Sequence, residues 1–271
     1  MKQIRILALD LDDTLLCSDF SISLKTRNAI KLAQKAGITI VLTSGRIPDS
    51  MDRYVRVLDL HKKPGYVVSN NGTLITESHT GNIIYESLLD PEIIMAICEL
   101  AEKEGFPLQM YADNITYVSR RNEYSDMDEK VTNLRQVVVE NFQALVGESC
   151  HKLIIPGDHV HLNDLLRLIK MNMGNKVSLF ISRKYFLQIA PKDTNKGTAL
   201  AKIADIMGCK PEQTMAIGDS MNDEAMIRWA GIGVALANAT EELKEIADFV
   251  TYKTNDDNGV AEAIEKYILG I

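Results

Sequence analysis

The chain has 271 residues and a formal net charge of −7 at pH 7, with 46% apolar and 25% charged residues. This composition is typical of a globular protein with one large domain or two modest ones. The sequence contains no basic stripe of the kind that binds nucleic acid, and no apolar stretch approaches the ~18 residues of a membrane span.

The first third of the sequence alternates between strands and helices. The predicted strands are continuous apolar runs, as in a parallel sheet covered on both faces, at residues 4–11, 38–46 and 66–75. A helix between the first two strands ends at Gly37, and a second helix has Pro48 in its first turn. The third strand leads into a hairpin that turns at residues 80–82.

The last third returns to this alternation. Three predicted strands lie at residues 214–220, 232–238 and 248–252. Helical spacing of apolar residues predicts helices at 196–209, 223–231, 240–247 and 258–269. Such alternation implies right-handed parallel crossovers and helices on both faces of the sheet.

The middle of the chain has a different pattern. Its predicted helices lie at 91–105 and 161–174, and its predicted strands lie within 108–120, 150–157 and 177–191. Two of these strands are joined at Asp113-Asn114, and the last stretch predicts an antiparallel pair. We therefore expect a Rossmann-like α/β core over residues 1–84 and 191–271, with an α+β module inserted over residues 85–190.

Cysteine usage and the N-terminus bear on the compartment. The four cysteines are widely spaced and form no Cys-x-x-Cys pair, at positions Cys17, Cys98, Cys150 and Cys209. We expect reduced thiols in a cytoplasmic protein. We also expect the protein to be a monomer or a weak homo-oligomer. The first apolar run is short and contains Arg5 and Asp10, so we do not expect a signal peptide.

Asp10 and Asp12 lie where the first predicted strand ends. Ligands of an open parallel sheet bind at the carboxyl ends of its strands, and alternation along a strand directs residues 10 and 12 to the same side. Two carboxylates so close favour a divalent cation with oxygen ligands, above all Mg²⁺. One carboxylate could then act as a nucleophile and the other as a general acid–base. The alternative is a capped turn, because Asp-Asp-Thr is also good turn chemistry.

A second acidic pair, Asp219 and Asp223, follows the strand predicted at residues 214–220. Both carboxylates could face the same metal, directly or through water. Asn222 lies between them and could hydrogen-bond a ligand oxygen. The alternative is a turn with an N-cap, because Gly, Asp, Ser and Asn all favour turns.

Two other element ends carry groups suited to an anion. Ser44 could donate its hydroxyl to an anionic oxygen, and the backbone N–H groups of Ser44 and Gly45 could cradle one, although an ordinary helix cap is the alternative. Lys196 begins a helix, where an anion is welcome, and could bind phosphate and steady a carboxylate, although most lysines are solvated. With the aspartates, these groups describe a phosphate dianion held between a metal and a lysine.

In this order the motifs resemble those of the haloacid dehalogenase superfamily, and within it the Cof-type phosphatases with a large α/β cap. The stretch "DLDDT" looks like the first motif, "TSGR" like the second, Lys196 like the third and "GDSMND" like the fourth. The resemblance covers nearly the whole chain. Asp13 departs from the family pattern, in which glycine is commoner, and we assign it to the turn.

The resemblance implies a Mg²⁺-dependent phosphatase acting on a small phosphorylated metabolite, with sugar phosphates favoured. Asp10 would be the nucleophile that forms an aspartyl-phosphate, and Asp12 the acid–base. The implied metal residues are Asp10, Asp12, Asp219 and Asp223. The implied phosphate-binding residues are Ser44, Gly45, Lys196 and Asn222. The module at 85–190 would be the cap that selects the substrate.

Three rival functions share parts of this pattern. A phosphomutase would keep all four motifs and differ in its cap, and phosphate release without a bisphosphate activator would exclude it. A dehalogenase is disfavoured by Asp12, because that chemistry has no leaving alcohol to protonate. A non-catalytic metabolite-binding protein is disfavoured because no member of the motif set is missing.

Other residues could have either a functional or a structural role. A mixed aromatic and basic stretch of the cap could grip a polar leaving group or form exposed surface, at Tyr111, Tyr117, Arg120, Arg121 and Tyr124. Asn71 and Gly72 lie in a region that approaches the substrate in this family. Three histidines are expected to have surface or capping roles and not to form a metal site, at His151, His159 and His161.

Overall fold

The computed structural model describes residues 4–112, 114–132, 134–146, 150–182 and 184–271. The chain divides into two compact units, Met1–Glu86 with Asn195–Ile271 and Ser87–Thr194. We call the first the core unit and the second the cap unit. The sequence predicts edges of the inserted unit after residues 84 and 190. The observed edges lie two and four residues later.

The core unit is an α/β sandwich around an eight-stranded sheet in the order β14-β13-β12-β1-β2-β3-β4-β5. Its strands, numbered along the whole chain, are β1 (Ile6–Asp10), β2 (Thr39–Thr43), β3 (Tyr66–Ser69), β4 (Leu74–Glu77), β5 (Ile83–Glu86), β12 (Thr214–Gly218), β13 (Ile232–Ala235) and β14 (Phe249–Val250). Its helices are α1 (Leu24–Lys35), α2 (Pro48–Val57), α7 (Lys196–Ile206), α8 (Glu224–Trp229), α9 (Glu241–Ile246) and α10 (Gly259–Ile264).

Strand β1 is the central strand that positions the candidate site. It pairs in parallel with both β2 and β12. Leu7 and Leu9 pack into the apolar cluster that includes residues of α1, α2 and α10, whereas Ile6 and Ala8 pack into the cluster that includes residues of α7, α8 and α9. Both faces of the sheet are therefore buried at its central strand, and the predicted α/β fold with a parallel central sheet is confirmed.

The prediction of one strand over residues 66–75 is wrong. The chain turns at Asn70–Gly72, and β3 and β4 pair antiparallel. All three turn residues have positive φ, at 50°, 56° and 104°. Asn and Gly tolerate this region better than other residues, so the Asn-Asn-Gly sequence breaks the apolar run. The predicted turn before β5 is present, between Glu77 and Ile83.

The cap unit has a six-stranded sheet in the order β10-β11-β9-β6-β7-β8. Its strands are β6 (Gln109–Ala112), β7 (Ile115–Val118), β8 (Arg135–Val138), β9 (Leu153–Pro156), β10 (Val177–Ser182) and β11 (Phe186–Pro191). Its helices are α3 (Pro91–Lys103), α4 (Glu123–Thr132), α5 (Phe142–Val146) and α6 (His159–Met173). The antiparallel β10–β11 pair matches the prediction, but α4, β8 and α5 were not predicted. Asp113, placed at a strand junction, lies outside the described residues.

Two further expectations concern the chain as a whole. All four cysteines are free thiols, and Cys98, Cys150 and Cys209 are buried. Within the part of the chain that the structure describes, no helix combines the length and the apolar character needed to cross a bilayer.

Candidate active site

Asp10 is the last residue of β1, and its carboxylate lies on the side of the sheet covered by α7. The burial pattern explains this placement, because Ile6 and Ala8, four and two residues earlier, face the same cluster as α7. Asp10 is only 4% exposed. A buried carboxylate requires a compensating charge, and the neighbouring helix supplies one.

Lys196, the first residue of α7, joins two of the predicted aspartates. It is 0% exposed, and its Nζ donates to Asp10 Oδ1 and, at 2.6 Å, to Asp223 Oδ1. The helix begins here because Asn195 and Thr198 form a reciprocal capping box. The alternative reading of Lys196 as a solvated surface lysine is therefore wrong.

Asp219 and Asp223 lie on the turn that follows β12. The backbone N–H groups of Asp219 and Ser220 donate to Asp223 Oδ2 at 3.0 and 3.3 Å. A Cβ atom at Gly218 would lie 2.5 Å from that same oxygen, so only glycine permits this close approach. Asp219 accepts a hydrogen bond from Thr14 Oγ1 at 2.9 Å.

The electrostatics of the cluster reflect one ammonium among three carboxylates. Burial raises the pKa of Asp10 well above its usual range, and the charge of Asp223 adds to the effect. Burial and Asp223 likewise raise the pKa of Asp219 to about 7. Burial acts against the charge of Lys196, but Asp10 and Asp223 outweigh it and raise the pKa of the lysine. The cluster therefore has more negative charge than Lys196 alone can neutralise.

Three of the predicted metal residues meet the requirements of a hard divalent cation. Asp10, Asp219 and Asp223 each offer a carboxylate oxygen, and these atoms lie within 4.8 Å of one another. Opposite oxygens around an octahedral Mg²⁺ are about 4.2 Å apart, so the cluster has a suitable size and donor type. The Asp12 carboxylate is not part of this group. The histidines His151, His159 and His161 are not part of it either.

Asp12 instead forms an ion pair with Arg46, which follows β2. Arg46 Nε donates to Asp12 Oδ2 at 2.8 Å, and Nη2 donates to Oδ1 at 2.6 Å. Burial acts against the charge of Arg46, but the hydrogen bond and the charge of Asp12 outweigh it and raise the arginine pKa. The side chains of Asp12 and Arg46 are 28% and 22% exposed, so this pair lies nearer to solvent than Lys196 does.

The residues predicted to bind phosphate fall on neighbouring turns of the core unit. Ser44 is buried and follows β2, and its Oγ accepts from the backbone N–H of Arg46 at 3.1 Å. The Ser44 N–H donates to the Val68 carbonyl at 2.9 Å, so the expectation that it cradles an anion is wrong for this structure. The Asn222 amide lies 3.4 Å from Asn71 Oδ1. A Cβ atom at Gly45 would lie 3.0 Å from Asn71 Nδ2, so Asn71 packs between these two predicted residues.

Thr14 and Arg46 were missed as site residues, although each stands within a recognised motif. Thr14 is the threonine of "DLDDT", and its contact with Asp219 joins the turn after β1 to the turn after β12. Arg46 is the arginine of "TSGR". Asp13, assigned to the turn, has φ 57° within the helical turn Leu11–Leu15, and its carbonyl accepts from Asn238.

The cap candidates all have contacts within their own unit. Tyr111 Oη donates to Asp128 at 2.9 Å, and Tyr117 packs against the apolar cluster of the cap. Arg121 pairs with Asp126 and Glu129. Two others contact neighbouring loops, Arg120 at the Gly105 carbonyl and Tyr124 against the ring of Tyr185.

A family model described as haloacid dehalogenase-like hydrolase matches residues 7–264. The chain belongs to this family. YxeH of Bacillus subtilis (strain 168) is 29% identical over 272 residues, with 98% of each chain covered. The 5-amino-6-(5-phospho-D-ribitylamino)uracil phosphatase YwtE of the same organism is 30% identical over 292 residues, covering 98% of this chain and 99% of YwtE.

The fold comparison agrees with the sequence comparison. A haloacid dehalogenase-like hydrolase from Bacteroides thetaiotaomicron superposes with a TM-score of 0.87 at 30% identity, over 97% of this chain and 99% of that one. The predicted membership of the haloacid dehalogenase superfamily is confirmed. The predicted enzyme class, a hydrolase among the phosphatases of this superfamily, is confirmed as well.

Proposed function

We propose that this protein is a Mg²⁺-dependent phosphatase that hydrolyses small phosphorylated metabolites through an aspartyl-phosphate on Asp10. The observation that carries the proposal is the fully buried Lys196 held between Asp10 and Asp223 at two adjacent strand ends. A buried lysine beside a carboxylate favours the ionised, nucleophilic form of that carboxylate. It also places positive charge where phosphoryl oxygens develop negative charge.

In the first half-reaction a carboxylate oxygen of Asp10 attacks phosphorus, and the bond from phosphorus to the leaving oxygen breaks. Asp12, protonated at this point, gives its proton to the leaving alcohol. Asp10 then carries the phosphoryl group and Asp12 is a carboxylate.

In the second half-reaction Asp12 takes a proton from a water molecule, whose oxygen attacks the phosphorus of the aspartyl-phosphate. The bond between phosphorus and Asp10 breaks, and inorganic phosphate is released. Asp10 is again a carboxylate and Asp12 is again protonated, so the cycle closes without any other reactant.

Asp10, Asp219 and Asp223 would hold the Mg²⁺, as their oxygen donors and mutual distances allow. When bound, the cation supplies neutralisation of charge on the phosphoryl oxygens. The sequence places Asp12 among the metal residues, but its carboxylate is not part of this group, and we assign it the acid–base role instead. Ser44, Gly45, Asn222 and Lys196 would orient the phosphate.

The substrate class is proposed from the family and the cap. The name of YwtE gives its substrate as a phosphorylated ribityl compound. We propose that the substrate of this chain is likewise a small phosphorylated metabolite, with sugar phosphates as the first candidates. The inserted cap unit would be the part that selects it. The four free cysteines fit a reducing compartment such as the cytoplasm.

A panel of phosphorylated metabolites tests the proposal, with release of inorganic phosphate measured with Mg²⁺ and with excess chelator. We expect turnover with Mg²⁺ and none with the chelator. Asp10→Asn should abolish turnover, whereas its Tm should stay close to that of the native protein. Undiminished turnover in chelator would refute the metal assignment, and an active Asp10→Asn would refute the nucleophile. Phosphate release without a bisphosphate activator would separate this activity from that of a mutase.

A further inference from the structure

The guanidinium of Arg46 makes a two-point contact with the carboxylate of Asp12. Both hydrogen bonds are short, at 2.8 and 2.6 Å, and they join two nitrogens to two different oxygens. Such a fork fixes the plane of the carboxylate, whereas the terminal torsion of an aspartate is otherwise broad. Arg46 therefore determines which way the Asp12 carboxylate faces.

Arg46 is itself held from several directions. Its backbone N–H donates to Ser44 Oγ at 3.1 Å, and its carbonyl accepts from the N–H of Asn70 at 2.9 Å. Its guanidinium carbon lies 5.6 Å from the ring centre of Phe20 and 5.8 Å from that of Tyr54. Arginine stacks favourably on aromatic rings, so the fork is presented by a side chain with little freedom.

Phe20 is an unusual residue for its position. It is 44% exposed and has φ 62°, a left-handed conformation that is unfavourable for a bulky side chain. The ring is not buried in the core, and it contacts the guanidinium of Arg46. Strained backbone of this kind concentrates at functional sites.

We propose that Arg46, held by Phe20 and Tyr54, is a positioning residue that aims the Asp12 carboxylate at the leaving oxygen of the substrate. The inference rests on the proposed function, in which Asp12 gives a proton to the leaving alcohol. Each carboxylate oxygen has two acceptor sites, so Asp12 can carry the transferred proton at a site that the fork does not use. Proton transfer requires alignment within hydrogen-bond reach, so loss of the fork slows the step most when the leaving group needs the proton most. Arg46 neither forms a bond to the substrate nor exchanges a proton.

Two aryl phosphates of similar size separate this role from a structural one. Phenyl phosphate needs a proton on its leaving oxygen, whereas p-nitrophenolate leaves readily without one. For Arg46→Ala we expect kcat/KM to fall by about 10–10²-fold with phenyl phosphate and by less than about threefold with p-nitrophenyl phosphate. Arg46→Lys keeps the charge without the fork and should fall between the wild type and Arg46→Ala.

A matched control is available on helix α2. Arg56 also pairs with an aspartate, Asp52, at 2.7 Å, but both side chains are more than half exposed. Arg56→Ala should leave kcat/KM unchanged for both aryl phosphates. If Arg46→Ala fails to unfold cooperatively, Arg46→Lys and Phe20→Leu provide the same comparison, because both should still show the larger loss with phenyl phosphate.

Asp12→Asn and the double variant separate the acid–base role of Asp12 from the positioning role of Arg46. Asp12→Asn should show the same excess loss with phenyl phosphate, and adding Arg46→Ala to it should cause no further loss, since the two residues act as one unit. Equal losses with both esters in Arg46→Ala, or additive losses in the double variant, would overturn the positioning role and leave the proposed function intact. If Asp12→Asn itself showed no excess loss, the acid–base assignment would fail and the inference with it.

Discussion

Lys196 Nζ donates to Asp223 at 2.6 Å and to Asp10 as well, so a single ammonium with no exposed surface joins the ends of β1 and the β12 turn. The three residues are separated by 186 and 27 positions in the sequence. Removal of the lysine would leave buried carboxylates without their partner, which is strongly unfavourable. The lysine therefore has a structural role together with the proposed catalytic one.

Lys196→Ala should lower kcat by about 10²–10³-fold, because a charge-assisted contact to the transition state in a desolvated site is lost. It should also lower Tm, and added Mg²⁺ should recover part of that loss by neutralising Asp10 and Asp223. Lys210→Ala, at an exposed lysine, is the control for both measurements. A rate within about threefold of the wild type would exclude Lys196 from the site.

Cation binding should weaken as the pH falls, because protons compete for the raised pKa values of the cluster. Asp219 has a pKa of about 7, and that of Asp10 is also raised by burial. A group with a raised pKa is protonated in the metal-free protein below that value, so Mg²⁺ must displace a proton there and none above it. The rise in Tm caused by Mg²⁺ should thus be larger at pH 8 than at pH 5. An equal rise at both values would contradict the assignment of Asp10, Asp219 and Asp223 as the cation site.

Thr14 should support the cation site through Asp219. The Thr14 hydroxyl donates to Asp219 Oδ1 at 2.9 Å and favours its ionised form, so Thr14→Val leaves the carboxylate less well oriented and more readily protonated. The Mg²⁺ concentration for half-maximal activity should rise by about tenfold, with little change in kcat at saturating Mg²⁺. Ser50→Ala, which removes a hydroxyl bonded to the Ile47 carbonyl, is the control. An unaltered Mg²⁺ requirement would mean that Asp219 is not a ligand.

The cap unit should govern substrate choice without taking part in the chemical step. Tyr111→Phe removes a hydroxyl that donates to Asp128 on the cap, and it should change the order of preference among sugar phosphates. Hydrolysis of p-nitrophenyl phosphate should change little, because the four motifs lie in the core unit. The same measurements on Tyr124→Phe, at a tyrosine stacked on Tyr185, provide a comparison with Tyr111→Phe. A uniform loss over all substrates would assign the cap a part in catalysis.

The strand ends of the core could be read from the sequence because each apolar run is followed directly by polar residues. The alternation of Ile6, Leu7, Ala8 and Leu9 between two clusters explains why Asp10 faces α7. Contacts between distant residues could not be read in this way. The sequence places Arg46 next to Gly45, but only the fold shows that its guanidinium faces Asp12 and not the bulk solvent.

The errors also have a physical origin. Residues 66–75 form an apolar run interrupted by Asn70–Gly72, and the turn-forming dipeptide Asn71-Gly72 outweighs the hydrophobic pattern there. Helix α4 has a weakly apolar sequence whose buried residues include Ser125 and Asp128, so its periodicity gives little signal.

The central claim, a covalent intermediate on Asp10, is tested most directly by a crystal structure of the protein with Mg²⁺ and beryllium fluoride, a mimic of an aspartyl-phosphate. The account predicts the fluoride adduct attached to a carboxylate oxygen of Asp10, with Lys196 beside it and the cation among Asp10, Asp219 and Asp223. An adduct on another residue, or an unmodified Asp10 in crystals of a protein that hydrolyses phosphate esters in solution, would contradict it.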